Sequence, residues 1–210
     1  MKHARIIPTL LTMAALMAGC APEGHDGHGH GGTRSVHYTG PAADVTKMGE
    51  PVTLVGDRLE AGDAAPGARL ITSDMREVNV SAWEGDVLVL SVAPSLDTPV
   101  CASQTAKLDR MARGWPRNVH VVSVSMDLPS ALDRWAADHD IRNMVLASDY
   151  KHREFGPTYG LLMRENALLA RAALVVDPVG TIRHIEVVGD LGREPDYQAI
   201  AEAVREIASD

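Results

Sequence analysis

Three runs in this chain carry little polar interruption: Val87–Ala93, Val119–Val124 and Ala172–Val176. A strand with one wet face alternates apolar and polar residues, because successive side chains point to opposite faces. Runs that barely alternate belong to strands covered on both faces, as in a sheet packed between helices. They are too short for buried helices, so a layered α/β domain is the architecture they demand.

The intervening segments supply the other layers. After the first run, Cys101, Thr105, Leu108 and Ala112 fall on one stripe of a helix. Ser130–Asp138 reads as a second helix with Leu132, Trp135 and Ala136 on one face. A last helix begins at Pro195, acceptable in a first turn, and packs Ile200, Val204 and Ile207. Ala68–Thr72 and Glu77–Val80 read as a strand pair turning at Ser73-Asp74, and Gly49–Gly56 as a short strand pair at the edge. Asp177-Pro178-Val179-Gly180 is a turn leading into a strand over Thr181–Val187. Together these give one domain over residues 45–210, with a central mixed sheet, flanking helices and an N-terminal hairpin.

The first 44 residues do not belong to that domain. Lys2 and Arg5 precede an apolar stretch from Ile6 to Gly19, too short to span a bilayer and shaped like an export signal. It closes on Leu16-Met17-Ala18-Gly19-Cys20, which resembles a bacterial lipobox. Residues 1–19 are therefore expected to be a lipoprotein-type signal peptide, with Cys20 lipidated and the protein held at the periplasmic or outer-membrane side of the envelope. Residues 20–44 form a His/Gly-rich tether with nothing to build a core. Its His25, His28 and His30 are candidate metal ligands, against the ordering entropy that a glycine-rich tract would lose. The net charge of −8, with no run of Lys or Arg, excludes a nucleic-acid surface.

With Cys20 lipidated, Cys101 is the sole thiol and no internal disulfide can form. A lone cysteine is usually a small core hydrophobe. This one follows a buried strand and opens a helix, where unpaired N–H groups and the helix dipole favour an anion. The segment around it reads Pro94-Ser95-Leu96-Asp97-Thr98-Pro99-Val100-Cys101, continuing through Ser103-Gln104-Thr105. The pattern Pro-x-x-x-Thr-x-x-Cys resembles the active-site motif of the peroxiredoxins, and more closely that of their bacterial thiol peroxidase branch. Gly49-Glu50-Pro51-Val52-Thr53, Met126-Asp127-Leu128-Pro129, Leu169-Ala170-Arg171-Ala172 and Glu194-Pro195-Asp196-Tyr197 extend the likeness over roughly Lys47 to Ile207.

The resemblance implies a thioredoxin-like fold, often as a homodimer. It also implies reduction of hydrogen peroxide or organic hydroperoxides without metal or organic cofactor. Cys101, Thr98, Arg171 and Pro94 become the candidate catalytic residues. The physical chemistry agrees. A thiolate is the attacking species, whereas an ordinary thiol ionises near pH ~8.5. Shifting a thiol to about 6 takes roughly 3.4 kcal/mol, and a helix terminus supplies about 0.3–1, at most ~2. A second donor is needed, and Arg171 stays charged and can reach both sulfur and peroxide. Thr98 can hydrogen-bond sulfur or peroxide, and Pro94 shields and shapes the loop.

One departure matters: the branch commonly carries a resolving cysteine on the helix after Asp-Leu-Pro, where this chain has Ala136. A one-cysteine cycle regenerated by an external thiol, small-molecule or thioredoxin-like, is therefore expected. The competing reading is a non-enzymatic, membrane-tethered periplasmic protein that binds metal through the His-rich tract or serves as a docking module. A thiol-disulfide oxidoreductase would need a second nearby cysteine, which Val100-Cys101-Ala102-Ser103-Gln104 lacks.

Overall fold

The computed structural model describes residues 45–208; the signal segment 1–19, Cys20 and the tether 20–44 with its histidines lie outside the described residues. The N-terminal elements are β1 (Thr46–Lys47), β2 (Glu50–Pro51), β3 (Leu54–Val55), β4 (Arg69–Thr72) and β5 (Glu77–Asn79). Next come β6 (Val87–Val92), α1 (Pro99–Ala112), β7 (Val119–Ser125), α2 (Pro129–Asp138) and β8 (Val145–Ser148). The chain closes with a short α3 (Phe155–Thr158), β9 (Leu162–Met163), β10 (Ala172–Val176), β11 (Ile182–Val187) and α4 (Tyr197–Ala208).

Seven strands form one sheet in the order β11-β10-β6-β7-β8-β4-β5. β6, β7 and β8 run parallel, joined through α1 and α2, while β10 and β4 flank them antiparallel. The near-unbroken apolar runs are explained by two-sided burial. In β6, Val87 and Val89 face a cluster with Leu108 of α1 and with Ile200 and Val204 of α4. Leu88, Leu90 and Val92 face the opposite cluster, which holds Phe155, Tyr159 and Leu161. β10 divides the same way, with Ala173 and Val175 against Ala172, Leu174 and Val176. Truncating Leu90, fully buried, to alanine would cost about 2–5 kcal/mol.

Two expectations need correction. The Gly49–Gly56 segment is not one strand pair. β1 and β2 form a two-residue-loop hairpin of their own, whereas β3 pairs with β9, more than a hundred residues away. Two-residue strands gain too little pairing to be read without their tertiary partners. The last helix starts at Tyr197 rather than Pro195, because the Asp196 carboxylate caps it by accepting from the Gln198 and Ala199 amides at 2.9 and 3.1 Å.

This topology brings the chemistry-bearing segments together. α1 begins just past the carboxyl end of β6. β10 is antiparallel to β6 with Ala172 opposite Val92, so Arg171 arrives beside the loop that carries Pro94. The Arg171 carbonyl accepts from Val188 N at 2.9 Å, which lays the segment Gly189–Glu194 alongside.

Candidate active site

Cys101 is fully buried in the first turn of α1 and packs in a cluster with Ala93, Leu96, Leu132, Trp135 and Leu146. Thr98 is the helix N-cap, and Pro99 fills the first helical position, where its missing N–H is no loss. A threonine there normally caps with its side chain, worth about 1 kcal/mol. Thr98 makes no such bond; its Oγ1 lies 2.9 Å from Cys101 Sγ and 3.1 Å from the Ser95 carbonyl oxygen. The hydroxyl has one proton, so it donates to Ser95 while accepting from a thiol, or donates to a thiolate. With no side-chain cap from Thr98, the first-turn amides of α1 are not occupied by its hydroxyl.

Arg171, 2% exposed, completes the site. Its Nη2 lies 3.3 Å from Cys101 Sγ and donates to the Leu191 carbonyl at 2.9 Å; its Nε donates to that carbonyl at 3.3 Å, and its Nη1 donates to Gln104 Oε1 at 2.5 Å. Gln104 Nε2 in turn donates to Ser91 Oγ at 2.8 Å. None of these partners is a carboxylate. Among them the sulfur is the one able to carry a negative charge.

Two further groups hold the frame. Asp127, just past β7, accepts from the Leu96 amide and the Ser95 hydroxyl, both at 2.7 Å, and from Ser125 Oγ at 2.9 Å. This fixes the loop between Pro94 and Thr98. Lys107 of α1 forms an ion pair with Glu194, fastening the Leu191-bearing loop to the helix that carries Cys101. Burial works against the Glu194 charge, but hydrogen bonds from Lys107 and Ser103 outweigh it and hold the carboxyl below its usual range. Tyr197, under Lys107 with the ammonium 5.3 Å from the ring centroid, is pushed up by burial and by Glu194.

The site opens into a cleft of about 300 Å³ whose wall includes Pro94, Thr98, Val100, Met163, Leu168 and Arg171. All four candidates thus meet: Cys101, Thr98 and Arg171 directly, and Pro94 in the cleft wall. Sequence reasoning passed over Gln104, Asp127, Lys107 and Glu194. Gln104 was findable, since it stands three residues after Cys101 on the buried face of α1, where an amide needs a partner. His25, His28, His30 and Cys20 lie outside the described residues, among which no three His, Cys, Asp or Glu side chains gather as metal ligands.

A thioredoxin-like sheet carrying a buried cysteine at a helix start, with a threonine and an arginine on its sulfur, defines the peroxiredoxin class. The match to the AhpC/TSA family model over residues 61–185 places the chain in that family. It is 40% identical over 161 residues to the thiol peroxidase of Listeria monocytogenes, covering 77% of this chain and 97% of that one. A crystal structure of a peroxiredoxin-like protein from Aquifex aeolicus superposes with a TM-score of 0.75 at 37% identity, covering 80% of this chain and 98% of that one. The thiol peroxidase of Chromobacterium violaceum shares the fold, with a TM-score of 0.72 at 20% identity over 79% and 97% of the two chains.

Proposed function

We propose that this chain is a thiol peroxidase in which Cys101 reduces hydrogen peroxide or an organic hydroperoxide. The observation that carries the reading is the convergence of Arg171 Nη2 and Thr98 Oγ1 on one buried sulfur beside the cleft. The Cys101 thiolate attacks one peroxide oxygen, a sulfur–oxygen bond forms, and the oxygen–oxygen bond breaks. The leaving oxygen departs as alkoxide or hydroxide and takes the proton released when the thiol ionised. Cys101 is left as sulfenic acid. Arg171 and the free amides of the first turn face the charge that develops on the peroxide oxygens. A docking or metal-collecting role would leave this constellation unexplained.

The cycle we propose is one-cysteine. Support comes from Ala136, which stands on α2 against the Cys101 cluster where the branch commonly places its resolving cysteine. An external thiol, either small or borne by a thioredoxin-like protein, attacks the sulfenic sulfur, the sulfur–oxygen bond breaks and water leaves. A second thiol then attacks the mixed disulfide to release Cys101, with formation of a disulfide between the two external thiols. We place the protein at the cell envelope through a lipid on Cys20, on the support of the Lys2–Cys20 pattern. Homodimer formation is proposed from the family resemblance alone, and metal binding by His25, His28 and His30 is not part of the cycle.

The test is peroxide consumption by the purified protein with dithiothreitol, wild type against Cys101→Ser. Turnover abolished by the substitution is expected. Equal consumption by both would overturn the reading.

A further inference from the structure

β6 carries one polar side chain, Ser91, and that side chain is fully buried. A hydroxyl in a strand covered on both faces has given up water and needs a partner in exchange. Two hydroxyls nearby show that such a partner is not a matter of course. Ser123 stands beside Ser91 in the register of β7, and Thr105 lies on the buried face of α1. Neither hydroxyl finds a hydrogen-bond partner among the described residues.

Ser91 has a partner, and that partner leads to the reacting sulfur. Gln104 Nε2 donates to Ser91 Oγ at 2.8 Å, while Gln104 Oε1 accepts from Arg171 Nη1 at 2.5 Å. Arg171 Nη2 in turn lies 3.3 Å from Cys101 Sγ. An amide suits the middle place, because it donates from one end and accepts at the other. All four side chains are buried, so bulk water does not replace a lost bond.

A second acceptor near the amide shows what Ser91 prevents. Gln104 Nε2 also lies 3.4 Å from the Val92 carbonyl oxygen, beyond the normal length of such a bond. Without the Ser91 hydroxyl, Nε2 is left with that carbonyl and gains by closing the extra ~0.5 Å. The amide is planar and rigid, so Oε1 moves with Nε2 and its bond to Arg171 Nη1 is disturbed. The guanidinium then depends on the Leu191 carbonyl, which receives Nε and Nη2 at a single oxygen. One point of support leaves it free to pivot relative to sulfur.

We propose that Ser91 is a positioning residue of the peroxidase site: through Gln104 it holds the Arg171 guanidinium on Cys101. The proposal rests on the peroxidase reading and adds to it a side chain on the central strand that touches neither sulfur nor peroxide. It also accounts for a serine in the middle of a strand whose other five side chains are all apolar.

The experiment follows Cys101 in the full chain, on its own peptide by mass spectrometry, in two reactions. One is oxidation by hydrogen peroxide at neutral pH; the other is alkylation by iodoacetamide at about pH 10, where an ordinary thiol ionises without help. Ser91→Ala removes a single oxygen, so the fold is kept. It is expected to slow oxidation at least about threefold and to leave alkylation within about twofold. A substitution that merely loosened the core would instead speed alkylation of this buried thiol. Ser123→Ala, which removes the neighbouring hydroxyl, should change neither rate. Gln104→Leu should slow oxidation at least as much as Ser91→Ala, and the double variant should be no slower than Gln104→Leu alone. The proposal is overturned if Ser91→Ala slows oxidation less than about threefold or speeds alkylation, if Ser123→Ala slows oxidation equally, or if the effects of Ser91→Ala and Gln104→Leu multiply. A wild-type Cys101 that is alkylated but not oxidised by hydrogen peroxide would instead remove the peroxidase reading itself.

Discussion

Replacing Arg171 by methionine removes the charge while keeping much of the volume, and the structure sets the size of the effect. Its Nη2 stands 3.3 Å from Cys101 Sγ. Two unit charges at that separation interact by about 5 kcal/mol at an effective dielectric of ~20. Desolvation of both groups offsets much of this, and a charge-assisted hydrogen bond contributes about 1.5–3 kcal/mol net. At about 1.36 kcal/mol per tenfold, that is a loss of roughly ten- to 150-fold in reactive thiolate. The guanidinium also faces the charge developing on the leaving oxygen, and loss of one such donor typically costs about 10²–10³ in rate. Arg171→Met should therefore slow Cys101 oxidation by at least about a hundredfold in a single-turnover assay. Arg171→Lys keeps the charge but cannot satisfy Gln104 Oε1, the Leu191 carbonyl and sulfur together, so it should fall between. Both variants leave buried acceptors unpaired, at about 1–3 kcal/mol each, so rates are compared where melting curves show each variant folded. A folded Arg171→Met protein within threefold of wild type would refute the assigned role.

Thr98→Val should slow peroxide attack about tenfold and lower the melting temperature only modestly, because the side chain makes no cap bond and the bond lost is the exposed one to the Ser95 carbonyl; Thr98→Ser should retain most of the rate. Lys107→Met and Glu194→Gln should each slow oxidation several-fold through a loosened Leu191 segment, and the double variant should be no worse than either single, which a double-mutant cycle reads directly. The Glu154 carboxyl is held below its usual range by the Arg69 hydrogen bond, so this pair stabilises the fold above about pH 4.5 and fades as pH falls through the folded value. The stability gap between wild type and Arg69→Met should accordingly be present at pH 7 and shrink as pH falls below about 4.5, and a gap independent of pH would refute the linkage. Stoichiometric peroxide without added thiol should give sulfenic and higher acids on Cys101 in a Cys20→Ala protein, and a quantitative disulfide in non-reducing mass spectrometry would refute the one-cysteine cycle.

What the sequence disclosed tracks where its signals are local. The buried strands β6, β7 and β10 were legible because burial on both faces leaves an apolar run that no exposed strand has. Cys101, Thr98 and Pro94 lie within eight residues, so their pattern survives in one dimension. β8 was missed because Val145–Ser148 has only four residues, and its strand character comes from pairing with β7 and β4. β3 and β9 form a two-stranded sheet with each other, and Leu54 and Met163 pair across 109 positions, a separation that no local window spans. Lys107 and Glu194 looked like ordinary surface charges, since nothing in the chain announces that α1 and the segment after β11 meet.

The residues around Arg171 explain why the site is buried at all. A guanidinium taken out of water is costly unless its charge is answered, and here its hydrogen-bond partners are an amide, a carbonyl and a sulfur. Were a carboxylate among them, the charge would already be neutralised and would have less to offer the sulfur. With Gln104 in that place, the thiolate is the anion that Arg171 lacks, and the low-dielectric surroundings strengthen the attraction between them. The same burial keeps water from competing for the peroxide oxygens. Asp127 and the Lys107–Glu194 pair then matter because a charge left unanswered holds its direction only if the loops on either side of it cannot move.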